Sequence, residues 1–490
     1  MMNKSGNVSA PAQAFRRELG LFDSTMMVVG SMIGSGIFIV SADIARTVGC
    51  AGLLLAVWLI TGILTVAASL SYGELAGLMP EAGGQYVYLR EAYNPFIAFL
   101  YGWTLFLVIQ TGTIAAVAMA FAKFTAVLLP MLGEKNILFS AAGYSVSAAQ
   151  VTAIASIIML TAINARGIHG GKLVQNVFSS AKVVALLALI ILGIAIGTGT
   201  GVFSANLEGF WDASWTRVDG GKIASIEALS GITLAAAVGV AMVGSLFSSD
   251  AWFDITFAAG EVKDPRRTIP RSLALGTVLV IFLYLLANMA YLALLPVKGN
   301  PGAADLAGAG IQFAADDRVG TAAASVMFGG AGAAIMAVLI MVSTFGCNNG
   351  LVLAGARVYY AMARDRLFFR PASRLNPKGV PAIALYVQAA WSSALCLTGT
   401  YGDLLDYVIF AVLIFYALAI GGIFMLRKKN PGAERPVRAP WYPFLQLVYI
   451  AAAAFICASL LIYKPKYTWP GLVIVMIGVP VYFLWRRRAE

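Results

Sequence analysis

The stretch Gly30-Ser31-Met32-Ile33-Gly34-Ser35-Gly36-Ile37-Phe38 lies in the middle of a long apolar segment, roughly residues 21–48. Its three glycines and two serines weaken a helix at the point where a membrane-spanning helix would need to be strongest. Lipid offers no hydrogen bonds to backbone N–H and C=O groups, so an interrupted span must line a cavity or lie inside the protein. In transporters, such interruptions place helix ends at a ligand near the middle of the membrane. The stretch therefore predicts a discontinuous first span at a binding site.

The composition indicates a polytopic membrane protein. Hydrophobic residues make up 60% of the 490 residues and charged residues only 12%, with a mean hydropathy of +0.82. Soluble domains carry about 25% charged residues. We therefore expect one integrated helical bundle within the lipid bilayer.

Apolar segments long enough to cross a bilayer, about 20 residues each, recur along the whole chain. They predict twelve spans, at residues 21–47, 52–78, 96–129, 147–165, 175–198, 231–259, 271–295, 322–362, 382–400, 405–426, 442–463 and 468–485. The longest connections, 199–230 and 296–321, fall on one side of the membrane.

The basic residues are distributed unevenly between the two sides. With the N terminus inside, the inner segments hold 24 Lys and Arg residues and the outer segments hold 8. This bias predicts that both termini are cytoplasmic. It also accounts for the net charge of +11 without a nucleic-acid-binding module, since no basic soluble segment is present.

A second run of small and polar residues, Val243 to Trp252, interrupts the sixth span. Interruptions in spans one and six predict two five-helix repeats of inverted topology followed by two further helices. The expected organisation has four parts. They are a cytoplasmic tail (1–20), the first repeat (21–200), an outer loop with the second repeat (201–426), and an inner loop with the last two helices and a short tail (427–490).

Several motifs resemble the amino acid–polyamine–organocation superfamily, and within it the L-type amino-acid transporters. Besides the glycine motif at 30–38, they are Tyr72-Gly73-Glu74-Leu75, residues 80–88 (PEAGGQYVY), Asn164-Ala165-Arg166-Gly167, residues 260–270 (GEVKDPRRTIP) and residues 343–365 around the eighth span. The motifs keep the order of the family. The resemblance implies amino-acid transport by alternating access, with spans 1, 2, 6 and 7 rocking against the rest.

The two interruptions suit the two charged groups of an amino acid. Orphan N–H groups at a helix start favour a carboxylate, whereas unpaired carbonyls at a helix end favour an ammonium group. The predicted carboxylate site is Ser35, Gly36 and Ile37, and the predicted amino-group site is Met32, Ile33, Phe247, Ser248 and Asp250. The alternative is that Gly30 and Gly34 only allow close helix packing, and packing can coexist with binding.

The resemblance also places Phe247 as an aromatic gate over the substrate. Further pocket candidates are Gln110, Thr111, Ala251 and Trp252. Gln110 and Thr111 either line the pocket or bond a neighbouring helix, and Trp252 is equally expected to pack. Many relatives carry glycine where this chain has Ala251, which leaves the size of the preferred side chain open.

Lys182 lies about nine residues, or roughly 14 Å, inside the fifth span. A lysine there is costly, by about 2.5–3.5 kcal/mol on insertion scales, so it must face the bundle. We expect carbonyls of the first span and the hydroxyls of Ser343 and Thr344 to hold it. The resemblance implies a tethered cation in place of Na⁺. Snorkelling to the inner interface and a proton-coupling role are the alternatives.

The sequence favours sodium-independent exchange of neutral L-amino acids in a plasma membrane, such as a bacterial inner membrane. A proton-coupled importer of cationic amino acids or polyamines, using Asp250 and Lys182, is the alternative. Glu74 is expected at the inner gate or in a structural role. No nucleotide loop, metal cluster or nucleophile–base pair is evident, so no catalytic residue, metal or cofactor is predicted, and a membrane-bound enzyme is a remote alternative.

Overall fold

The computed structural model describes residues 15–141, 144–219, 222–398 and 401–489. These residues are mostly helical, and two short antiparallel hairpins are the described sheet structure. The helices are α1 (Leu21–Met32), α2 (Ser41–Val48), α3 (Ala51–Leu78), α4 (Gln85–Ala92), α5 (Pro95–Thr104), α6 (Gln110–Leu128), α7 (Ala148–Ala165), α8 (Ile168–Gly197), α9 (Val202–Leu207), α10 (Gly231–Ser248), α11 (Asp254–Phe257), α12 (Pro265–Leu294), α13 (Leu306–Ala309), α14 (Val319–Phe328), α15 (Gly332–Arg364), α16 (Ala382–Cys396), α17 (Tyr401–Lys429), α18 (Phe444–Tyr463) and α19 (Pro465–Ala489).

Ten helical segments of the described residues are long and apolar enough to cross a membrane. Two shorter apolar helices, α1 and α16, complete a set of twelve crossings. The all-α, twelve-span architecture with interrupted first and sixth spans is confirmed. Span three is α5 and α6 joined by a π-helical turn, Leu105–Ile109.

Three predicted span boundaries differ from the structure. Helices α8 and α12 begin at Ile168 and Pro265, earlier than the apolar cores at 175 and 271, because their first turns continue as helix beyond the apolar region. The span predicted at 322–362 is divided between α14 and α15. Gly329, with φ +57°, ends α14 in a positive-φ conformation that glycine adopts without strain.

The packing of the spans follows the predicted inverted repeat. Helix α3 (span 2) packs on α12 (span 7), and α6 (span 3) packs on α15 (span 8). Likewise α8 (span 5) lies against α15, and α17 (span 10) lies against α6. The first two contacts join equivalent spans of the two predicted repeats, and the last two contacts are equivalent to each other. The division of the chain into these repeats stays a prediction.

The two hairpins were not predicted. Strands β1 (Ile137–Ala141) and β2 (Tyr144–Ser147) follow span 3, and β3 (Ser214–Asp219) and β4 (Lys222–Ala228) follow span 5. Their alternation is too short to stand out from loop sequence. Strand β3 contacts α2, so the loop at 199–230 covers the first span.

Both ends of the described chain lie at one face, called here the terminus face. The Phe15 ring contacts Tyr360 with centroids 5.1 Å apart, and Phe369 contacts Trp485 at 5.3 Å. Residues 15–23 close this face. The amides of Glu18 and Leu19 donate to the Glu261 carbonyl, at 2.8 and 3.0 Å.

Ion pairs complete the closure of the terminus face. Arg357 donates to the carboxylate of Glu261 at 2.8 Å, with both side chains buried. Lys172 of α8 pairs with Asp23 of α1 at 2.7 Å. These contacts hold α1 and the end of span 6 against α8 and α15.

The opposite face is also closed. Arg46 of α2 donates to Asp317 and to the Gln312 carbonyl, both at 2.6 Å, and Gln312 donates to the Ala45 carbonyl at 3.1 Å. The connection between α12 and α14 therefore lies over α2. Because both faces are closed, the structure represents an occluded conformation.

Candidate functional site

The first interruption is a short unwound turn between two helix ends. Helix α1 ends at Met32, one 3₁₀ turn covers Gly36–Phe38, and α2 begins at Ser41. Within the described part of the chain, the N–H groups of Gly36 and Ile37 have no hydrogen-bond acceptor. Both residues are buried. The turn thus offers two adjacent N–H donors in a closed interior, an arrangement suited to an anion.

The two interruptions lie directly against each other. A Cβ added to Gly36 would meet the Ser248 Oγ at 2.1 Å and the Ser248 Cβ at 2.8 Å. A Cβ on Gly30 would meet the Gln175 side chain at 1.9 Å. Close packing is therefore one role of these glycines. A larger side chain at Gly36 would disturb packing as well as any ligand.

The ammonium group of Lys182 lies inside the bundle and contacts the first interruption. It donates to the carbonyls of Gly30 at 2.6 Å, Ile33 at 2.7 Å and Ser343 at 3.2 Å, and the side chain is 2% exposed. These contacts leave the snorkelling alternative without support. They join α8, α15 and the last turn of α1 around one positive charge.

The predicted hydroxyl contacts to Lys182 differ from those found. Ser343 accepts from Lys182 through its carbonyl, while its hydroxyl donates to the carbonyls of Ile33 and Gly34, at 3.1 and 3.0 Å. The Thr344 hydroxyl donates to the Ile340 carbonyl of its own helix at 2.8 Å. A helix residue four positions away is the nearest acceptor for a threonine hydroxyl, so Thr344 turns away from the lysine.

Tyr284 of α12 bridges the two interruptions. Its hydroxyl lies 3.0 Å from both the Met32 and the Ser248 carbonyl. The Phe247 carbonyl accepts from the Asp250 amide at 3.2 Å, and the Phe247 side chain is buried. A carbonyl oxygen has two lone pairs, so the Met32 and Ser248 carbonyls retain acceptor capacity for an ammonium group, whereas the Phe247 carbonyl also accepts from the Ser249 amide.

The Asp250 carboxylate lies toward α17, whereas the group predicted at the amino-group site is the Asp250 carbonyl. It accepts a hydrogen bond from the hydroxyl of Tyr416 on α17. A cavity of about 20 Å³, lined also by Thr65, Leu246 and Tyr449, lies on this side of the chain. The carboxylate is turned there because a buried charge needs a hydrogen-bond partner.

Trp252 packs on the same side as the Asp250 carboxylate. Its ring lies 4.8 Å from Tyr72 and 5.4 Å from Tyr416, centroid to centroid. Trp252 was expected either to line the pocket or to pack, and in the structure its ring packs between α3 and α17.

Ala251 adopts the left-handed conformation, with φ +61°. This conformation costs a residue with a Cβ about 1–2 kcal/mol and costs glycine almost nothing. The geometry explains why glycine suits this position. The methyl group adds strain at the second interruption.

Gln110 and Thr111, the polar cluster of span 3, donate hydrogen bonds to backbone carbonyls of helical segments. Gln110 donates to the Leu351 carbonyl of α15 at 2.9 Å, and the Thr111 hydroxyl donates to the Phe106 carbonyl at 2.5 Å across the π-helical turn. Both side chains therefore hydrogen-bond to helix carbonyls in this conformation, and a place for them in the pocket stays a prediction.

Glu74 is part of an anchor at the terminus face. Arg427 donates to both of its carboxylate oxygens, at 3.0 and 2.7 Å, and the Ala439 amide donates to it at 2.7 Å. The carboxylate also lies 3.3 Å from Arg435. Glu74 thus ties span 2 to the end of span 10 and the loop that follows it.

Sequence reasoning missed Tyr284, Tyr416 and Asp254. A tyrosine in an apolar span reads as an ordinary interfacial or core residue, and its partner can be identified only once the helices are placed. Asp254 follows Asp250 in the same segment, and an acidic residue so deep in a span was the available signal.

The whole chain matches known proteins. A family model described as amino acid permease matches residues 19–483. The serine/threonine exchanger SteT of Bacillus subtilis is 29% identical over 96% of this chain and 98% of its own length. The human large neutral amino acids transporter small subunit 2 is 28% identical (96% of this chain, 81% of its own). The mouse Asc-type amino acid transporter 1 is 26% identical (97% and 83%).

The chain therefore belongs to the amino acid permease family. It is an integral membrane transporter of amino acids and not an enzyme.

Proposed function

We propose that this protein exchanges neutral L-amino acids by alternating access, without sodium, across a plasma membrane. The main support is that backbone carbonyls at the end of α1 and in α15 accept hydrogen bonds from the Lys182 ammonium group. Such carbonyls are the ligands that a hard cation prefers. A covalently attached positive charge there would do the work of a bound ion, and no ion gradient would then drive the cycle.

The substrate carboxylate would bind the N–H groups of Gly36 and Ile37, beside Ser35. The ammonium group would bind the carbonyls of Met32 and Ser248. The Phe247 carbonyl already accepts from the amides of Ser249 and Asp250, so it is dropped from the amino-group site. The Ile33 carbonyl already accepts from Lys182 and from Ser343, which uses both of its lone pairs, so Ile33 is dropped from the amino-group site. The ring of Phe247 would cover the substrate.

A neutral substrate fits the charges of the site. The Asp250 carboxylate is bonded to Tyr416 and turned away, so it offers no counter-charge to a cationic side chain. The names of two relatives, a serine/threonine exchanger and a large neutral amino acid transporter, agree with this choice.

Alternating access would open the two closed faces in turn. The moving bundle of spans 1, 2, 6 and 7 would break Arg46–Asp317 on one side, and Lys172–Asp23 and Arg357–Glu261 on the other. The bias of Lys and Arg residues supports a cytoplasmic terminus face.

Substrate competition in liposomes tests this proposal. We expect unlabelled neutral L-amino acids to compete with labelled alanine, and lysine, arginine and polyamines not to compete, equally well in sodium and in choline buffer. Uptake into empty liposomes driven by an inward proton gradient would contradict the proposal and favour the proton-coupled importer. A requirement for sodium would contradict the role of Lys182.

A further inference from the structure

Asp254 is a buried acid without a charged partner. It begins α11, on the terminus-face side of the second interruption, and is 0% exposed. Its hydrogen-bonding neighbour among the described residues is the Gln110 side chain, whose amide also donates to the Leu351 carbonyl. Within the described part of the chain, no cation contacts either of its carboxylate oxygens.

The other charged groups of the site are partnered. Asp250, four residues earlier, accepts from Tyr416, and Lys182 donates to three carbonyls. An ionised carboxylate without a counter-charge in such an interior is strongly destabilised. A protonated carboxyl avoids most of this cost, so the closed conformation favours the neutral acid at Asp254.

The titratable neighbours of Asp254 come from three elements. They are Tyr101 of α5, Cys347 and Tyr359 of α15, and Asp250 of its own segment. None is a cation. The hydroxyls of Tyr101 and Tyr359 have no partner among the described residues.

Charged groups on the helices packed against α11 are engaged elsewhere. Asp23 of α1 is bound by Lys172 and by Asn176, and Arg357 of α15 is bound to Glu261. The arginines at the start of α12 (Arg266, Arg267 and Arg271) are exposed. Among the described residues, no positively charged side chain therefore pairs with Asp254 in its ionised form.

The two unpartnered hydroxyls near Asp254 belong to residues close to the terminus-face ends of their helices. Tyr101 is six residues from the start of α5, and Tyr359 is five residues from the end of α15. Both positions are in the terminus-face half of their spans. Opening the closure at Arg357–Glu261 would bring water along this row of polar groups to Asp254.

We propose that Asp254 is a proton-binding site that exchanges its proton with the terminus face alone. The carboxyl is protonated while the site is closed. When the terminus face opens, its O–H bond breaks and the proton passes to water, and a proton from the same side returns before the face closes. This proposal rests on the proposed function, which makes the terminus face cytoplasmic. Exchange then moves no net proton, but its rate depends on cytoplasmic pH.

Infrared difference spectroscopy tests proton binding on the purified protein, without a transport assay. We expect a pH-dependent carboxylic-acid C=O band that disappears in Asp254→Asn, an isosteric change that removes the titrating group. The matched control is Asp250→Asn, which should keep the band because it leaves Asp254 unchanged. A spectrum with no band assignable to Asp254 at any pH would overturn the proposal.

Membrane vesicles of known orientation test whether the Asp254 proton exchanges with the terminus face alone. With the interior buffered and loaded with alanine, raising the bath pH should slow exchange in inverted vesicles, by up to about tenfold per pH unit for one titrating group. Right-side-out vesicles should not respond, and Asp254→Asn should remove the response of inverted vesicles. An equal response in both orientations would overturn the one-sided site. Absence of exchange in wild-type vesicles at every pH would instead contradict the proposed function, while the infrared result would still decide proton binding.

Discussion

Replacing Lys182 with methionine should reduce exchange at least about tenfold while leaving membrane insertion intact. Methionine keeps much of the apolar length of the side chain but removes the ammonium group, which has three carbonyl partners. A hydrogen bond to a charged group contributes about 1.5–3 kcal/mol, and 1.4 kcal/mol corresponds to a factor of ten. The loss should appear in initial exchange rates measured per inserted protein.

The matched control is Lys123→Met. Lys123 lies in span 3, and among the described residues its ammonium group donates to the Asp316 carbonyl alone, at 3.3 Å near the opposite face. We expect this variant to exchange at the wild-type rate. Wild-type exchange in Lys182→Met would show that the charge at the first interruption is not needed.

Two substitutions can separate the proposed carboxylate-binding role of Gly36 from its role in helix packing. Gly36→Ala alone should abolish exchange, because its Cβ would lie 2.1 Å from the Ser248 Oγ. Ser248→Gly removes that side chain and keeps the Ser248 carbonyl. The double variant should therefore regain stability in detergent but recover little exchange, since the new methyl group still crowds the N–H groups of Gly36 and Ile37.

A double-mutant cycle over Gly36 and Ser248 shows whether the loss of exchange comes from packing or from the carboxylate site. Thermal stability and exchange are measured for the wild type, both single variants and the double variant. If stability and exchange recover together in Gly36→Ala with Ser248→Gly, the first interruption acts as a packing face and the carboxylate proposal is wrong.

Much of the architecture follows from local sequence. Long apolar runs define the spans, and the glycine motif at 30–38 marks the first interruption because lipid restricts where a helix can break. The inward position of Lys182 follows from the same physics, since a charge so deep must find acceptors.

The directions of side chains in the unwound segments do not follow from sequence. Residues 249–253 have no helical periodicity, so the sequence could not tell that Asp250 and Trp252 face α17 rather than α1. The same holds for the bridge that Tyr284 makes, which depends on three elements meeting. Helix positions such as Lys182 were more predictable because each has one fixed face.

The small hairpins and the helix end at Gly329 before α15 are further features that the sequence pattern does not predict. Strands of four to seven residues outside the membrane carry little periodic signal. Gly329 ends a helix within an apolar run that hydropathy alone treats as continuous.

The most direct test of exchange is uptake of labelled alanine into sodium-free liposomes that contain the purified protein, with and without unlabelled alanine inside. The account predicts rapid uptake with internal alanine and almost none without it, because an exchanger returns its binding site across the membrane only with an amino acid bound. Equal uptake into empty liposomes would contradict exchange as the mode of transport.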